Sequence, residues 1–231
     1  MKTKNLLICL ALIGLTAKSN AQIFTPSTTY SMFVLNSFKQ YDNFNCATIA
    51  VIKCGMATFG ADQVAQIDSS GDPIKVILRN HQQILITLPE LKAATDSARM
   101  RAAKSAALYN EATILYAAMA KMAVQLSADP RFSYCTDYTK ALYFLDGRVN
   151  HGVSSEDIPT LLGLKPTPQT QRGTGLNYVG HNQFHAVYAT YNMFDNFGYS
   201  KRFTDINFLS HFSLIHLGGS LHFGYFRLAD L

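Results

Sequence analysis

The residues Cys46 to Phe59, C-A-T-I-A-V-I-K-C-G-M-A-T-F, are apolar or small at nearly every position, and only Lys53 is charged. Asn43 and Asn45 ahead of the run are able helix caps, and Gly60 behind it supplies a stop. A helix that is apolar all round must be buried all round, so the pattern predicts an interior helix here.

Other stretches change period. Lys75 to Arg79 (K-V-I-L-R) and Ile84 to Leu88 (I-L-I-T-L) alternate on either side of Asn80-His81-Gln82-Gln83, the signature of a β-hairpin. Pro89 suits a first helical position, and the pattern then predicts a polar, Ala-rich helix over Leu91 to Ser105. Tyr109 to Leu126 carries Ile114, Leu115, Ala118, Met122 and Leu126 at helical spacing, until Asp129-Pro130 ends it. Thr136 to Leu145 predicts a short helix capped by Thr136 or Asp137 and stopped by Gly147, and Ser155 to Gly163 predicts a further helical turn. Gln22 to Asn36 reads as a lead-in, and Lys165 to Gly175 as a loop-like linker. Ala186 to Tyr191 alternates as a strand; after a loop over Asn192 to Gly198, Arg202 to Leu209 can return antiparallel, and His211 to Phe226 adds strand-like segments. Helices come first and a sheet last, which predicts an α+β fold with a cleft between two lobes. There are no internal repeats.

Residues Met1 to Ala21 have the form of a secretory signal: Lys2 and Lys4, an apolar core from Leu6 to Leu15, and Ser19-Asn20-Ala21 before Gln22. That core is too short to span a bilayer, and no later stretch reaches about eighteen apolar residues, so an exported chain without stable membrane insertion is expected. Removal of Lys2, Lys4 and Lys18 changes the charge from +5 to 17 − 15 = +2. The remaining excess gives no warrant for nucleic acid as a partner. Cys46, Cys54 and Cys135 follow the signal, an odd number; one consistent arrangement bridges Cys54 to Cys135 and leaves Cys46 free. His181 with His185, and His211 with His216, have zinc-like spacing, but no Cys-x-x-Cys precedes them, and no metal or other cofactor is expected. Gly173-Thr174-Gly175 lacks the strand and lysine of a phosphate loop.

Cys46 opens the interior helix, where peptide N–H groups and the helix dipole favour thiolate over thiol. Gln40 precedes it by six positions, close enough for its carboxamide and the Cys46 N–H to hold an oxyanion together. Gln, five residues, then Cys at the head of a long central helix resembles the papain-like cysteine peptidases. In papain-type enzymes the partner histidine follows at roughly 130–150 residues, a window that contains His185 of H-A-V-Y. The segment Lys140-Ala141-Leu142-Tyr143-Phe144-Leu145-Asp146-Gly147 is similar to the helix-to-Gly segment of the calpain-like branch. The chain differs from the family in having no Trp, and in placing Ala47 after the cysteine.

The resemblance implies one papain-like domain over 22–231, a mainly helical lobe at 22–150 around a buried central helix and an antiparallel β lobe at 176–231. It implies Cys46 as nucleophile, His185 as base, Gln40 in the oxyanion hole, and an Asn or Asp on the strand returning from the histidine. His181 competes with His185, since positions 181, 183 and 185 share one strand face, though the Ala-Val-Tyr that follows favours His185. For the third member, Asn207 lies best on an Arg202–Leu209 return and Asp205 points the same way, while Asp195 and Asn196 would require a much shorter turn. The implied activity is thiolate attack on an amide carbonyl of a peptide or protein, as a peptidase or a related amidase or acyl transferase. The alternative is a secreted, catalytically inactive papain-like module that binds a peptide or protein in the same cleft.

Overall fold

Ser27 accepts a hydrogen bond from the Tyr30 N–H at 3.1 Å and so caps helix α1 (Thr28–Ser37), where the sequence suggested only a lead-in. Its inward stripe contains Ser31 and Ser37 beside Val34 and Leu35, which hides the helical period. The computed structural model describes residues 24–41, 44–148, 154–168, 177–181, 186–197, 199–202 and 224–231. Among these, six α-helices and three antiparallel sheets form an α+β arrangement. The export segment at 1–21 lies outside the described residues.

Strand β1 (Phe38–Lys39) leads to helix α2 (Cys46–Phe59), which is buried continuously from Thr48 to Ala57, Lys53 included. Gly60, at φ 91°, ends it as expected, and a short helix α3 (Ala61–Val64) follows. The hairpin of β3 (Ile74–Leu78) and β4 (Gln83–Ile86) forms around Asn80 to Gln82, with β2 (Ala65–Asp68) added as a third strand. Thr87 and Glu90 then close a reciprocal capping box at the start of α4 (Leu88–Ala98), with Pro89 in its first turn. This helix stops well short of Ser105. Arg99 turns left-handed at φ 47°, β5 (Arg101–Ala102) pairs with β1, and Ser105 caps α5 (Ala106–Gln125) by accepting from the Leu108 N–H. Ladder and cap both outweigh the alanine propensity that suggested continuity.

Asp137 caps α6 (Tyr138–Leu145), and Ile158–Leu162 forms a 3-10 turn closed by Gly163. The main sheet contains β6 (Leu164–Pro168), β7 (Tyr178–His181), β8 (Ala186–Thr190), β9 (Met193–Asn196), β10 (Tyr199–Arg202) and β11 (Gly224–Asp230), in the order β10-β9-β8-β7-β11-β6. Two expectations change here. The first part of the expected linker, from Lys165 to Pro168, belongs to strand β6, which pairs with β11. The chain also returns from β8 at once through Tyr191 and Asn192, at φ 45° and 66°, so β9 is the returning strand and Arg202 belongs to β10. Positive φ at both turn residues gives the twist that a tight antiparallel hairpin needs. Residues 203–210 lie outside the described residues.

Helix α2 lies between β7, β8 and β11 on one side and α1 and α5 on the other, in one continuous apolar core. The three thiols are free, so the Cys54–Cys135 bridge is not formed. No helix among the described residues is long and apolar enough to cross a membrane.

Glu111 on α5 buries Oε1 with no hydrogen-bond partner among the described residues. Burial, and secondarily the neighbouring Asp62, push its carboxyl up to about 7. An acid raised in the folded state supports stability below its unfolded value of about 4.3, and that support fades as pH rises through about 7. Glu111→Gln should therefore raise Tm at pH 8 by about 2–4 °C, equivalent to about 1 kcal/mol at this half-buried site, and leave pH 4 unchanged. Thermal melts across pH that fall equally in both proteins would contradict this assignment.

Candidate active site

Helix α2 presents Cys46 as its first residue, partly exposed, at the start of an otherwise buried helix. Three contacts hold this end. Asn45 directs Nδ2 to the Ala98 carbonyl oxygen at 2.6 Å, and Thr48 Oγ1 donates to the Leu145 carbonyl oxygen at 2.9 Å. Gly147, at φ +73°, packs so closely on Phe44 that a Cβ there would stand 2.7 Å from the Phe44 backbone oxygen. Glycine is required on both counts.

Asn45 occupies the cap position without capping, because its side chain reaches Ala98 instead. The first-turn N–H groups are thus left facing the sulfur. Beneath this end, Asp146 is fully buried, with Arg148 Nε at 2.7 Å, the Arg148 N–H at 3.0 Å and Ser97 Oγ at 3.1 Å. Burial pushes the Asp146 carboxyl up, and Arg148 and Ser97 oppose it. This group joins the ends of α4 and α6 under the start of α2.

Burial raises the Cys46 thiol above its ordinary range, while the N–H groups of Ala186, Ala47 and Cys46 itself pull it down. The Ala186 contact is the informative one. Ala186 opens β8, directly after His185, and it pairs with His181 at the end of β7. The helix start and this end of the sheet therefore meet at the sulfur. His181 ends β7 and Ala186 opens the neighbouring strand β8, while Gln183 and His185, expected on one strand face with His181, lie outside the described residues. The side chain of His181 and all of His185, Asp205 and Asn207 lie outside the described residues. Gln40 is buried just past β1, at the head of the link that enters α2.

Asp195 is on the returning strand, yet its Oδ2 pairs with Lys53 Nζ at 2.5 Å. Lys53 is fully buried, donates to the Leu35 carbonyl oxygen at 2.8 Å and lies over the Phe38 ring. Burial lowers the Lys53 pKa and Asp195 opposes that fall. Asp195 is therefore the counter-ion of the central helix, a role with no local sign along the chain. One position further, Asn196 buries Oδ1 with no hydrogen-bond partner among the described residues.

Cys54 and Cys135 are buried and held near 12, chiefly by desolvation. Neither has nucleophile character. Among the described residues no group of three or more His, Cys, Asp or Glu is placed to hold a metal. Neither a family model, nor a curated protein, nor a solved structure matches this chain.

Removing one partner of a buried ion pair leaves a charge uncompensated. Asp195→Ala should cost about 3–5 kcal/mol in urea unfolding, and adding Lys53→Met should recover much of that loss. A double variant no more stable than Asp195→Ala alone would show that the pair does not carry the packing of α2 on the sheet.

Proposed function

We propose that this chain is an exported thiol hydrolase of papain-like design that acts on amide bonds of peptides or proteins. The observation that carries the reading is the packing of α2 against β8, whose first residue, Ala186, lowers the Cys46 thiol through its N–H; this supports an approach of the neighbouring His185 to the thiol. Because burial raises the thiol, the helix start alone does not ionise it. An imidazole base is the missing requirement, and His185 meets it.

In the proposed reaction the thiol proton passes to His185 as sulfur bonds to the carbonyl carbon. Gln40 and the Cys46 N–H stabilise the oxyanion. The imidazolium returns its proton to the departing amine as the C–N bond breaks, leaving a thioester. Water, deprotonated by His185, then releases the acid and restores the thiol. Replacement of water by an amine gives acyl transfer from the same apparatus. For the third member, the immediate return of β9 favours Asn196 over Asn207 and Asp205, since its unpartnered Oδ1 can accept from the imidazole. Asp195 is withdrawn from that role by Lys53.

A second reading, an inactive papain-like module that binds a peptide or protein, is favoured by the desolvated Cys46 thiol, by Ala47 and by the lack of tryptophan. Thiol alkylation separates the two. At mildly acidic pH, iodoacetamide should modify Cys46 faster than Cys54 or Cys135 by a factor on the order of 10² or more, and His185→Ala should remove that advantage. Equal, slow labelling of the three thiols would leave the inactive module as the better description.

A further inference from the structure

We propose that the face around the β1–β5 ladder, beside the entrance to the Cys46 site, receives an acidic peptide segment. This rests on the reading of that site as one that handles peptides, and it names the chemistry of the substrate. The face is continuous. Lys39 pairs with Arg101 across β1 and β5, the Lys104 N–H donates to the Asn36 carbonyl oxygen, and Ser200 on β10 donates to Asn36 Oδ1 at 2.6 Å. Lys39, Arg101, Lys104 and Lys201 therefore lie in one neighbourhood, and among the described residues none of them meets a carboxylate. The described segments 36–41, 99–105 and 199–202 contain no Asp or Glu, and Asp42, next after Tyr41 in the sequence, lies outside the described residues.

The contrast with the rest of the surface is chemical. Arg79, Arg131 and Arg148 each pair with an aspartate. The nearby Asp195 is buried against Lys53 and offers no compensation to the face. Aromatic rings hold two of the free cations instead: the Arg101 guanidinium stacks on Tyr41 at 3.2 Å, and Lys39 Nζ lies 4.9 Å above the ring of Tyr199. Stacking on a ring face fixes a guanidinium plane and leaves its N–H edge open, the geometry that takes a carboxylate in two hydrogen bonds. Gln40 lies between Lys39 and Tyr41 in the chain, so an acidic side chain bound here is close to the link that enters the nucleophile helix. The small charge excess and the shortness of the ladder favour a peptide over the long phosphate track of a nucleic acid.

The test uses the full mature chain carrying Cys46→Ala, so that no turnover occurs. A fluorescent peptide of alternating Glu and Ala, its Gln counterpart and an oligothymidylate of matched charge are titrated by anisotropy at about 50 mM salt. The acidic peptide should bind about tenfold or more tighter than the Gln peptide, weaken with salt, and lose about tenfold on Lys39→Gln with Arg101→Gln. The distant Lys140→Gln should leave binding unchanged, and matching thermal melts exclude misfolding. Equal binding of the two peptides, indifference to Lys39 and Arg101, or tighter binding of the oligonucleotide would each overturn the proposal. If acidic binding holds while Cys46 shows no selective alkylation, the face stands and the hydrolase reading fails.

Discussion

A lysine with no exposure, inside the central helix, has to find its counter-charge or the helix cannot be buried. Lys53 finds it in Asp195, contributed by a strand far away in sequence, and completes its coordination with the Leu35 carbonyl oxygen and the Phe38 ring. An apolar helix can rotate or slide in a greasy groove at little cost, whereas an ion pair at 2.5 Å fixes its rotation and its height. Cys46 and Lys53 stand about two turns apart and so leave α2 on the same side. With Lys53 directed at β9, Cys46 is directed at the start of β8. The orientation of the sulfur thus follows from a pair that takes no part in chemistry.

The other end of the constraint is the docking of α4 and α6. Asn45 and Thr48 bind carbonyl oxygens at the ends of those helices, and Gly147 closes against Phe44. Because Asn45 points away from its own helix, the first N–H groups of α2 are left to the thiol. Burial still keeps that thiol above its ordinary range, so the local structure supplies position and partial polarisation without ionising it.

Much of the fold could be read along the chain wherever one signal was local. The apolar run to Gly60, the hairpin around Asn80, the Thr87-to-Glu90 cap and the helix behind Asp137 carry their cause within a few residues. Elements made by pairing were obscure. β5 exists because it meets β1, β6 because it meets β11, and β2 because a hairpin offers an edge. The tight return from β8 was hidden because Tyr191 is a rare residue at positive φ, and neither turn position carries glycine. That concealed turn displaced the expected third member towards Asn207. Lys53 was visible as the one charge in an apolar run, but nothing near it in sequence pointed to Asp195. The place of Cys46 at the helix start was legible because it depends only on where the apolar run begins.

Among the described elements β11 comes last in sequence, yet it is inserted between β7 and β6. In the sheet order the two earlier strands are joined through this one. Without residues 224–230, one edge of β7 and the β11-facing edge of β6 would be open and the apolar floor under α2 incomplete. The seating of the helix that bears the thiol therefore depends on pairings between segments far apart in sequence, the non-local kind of contact whose closure slows folding.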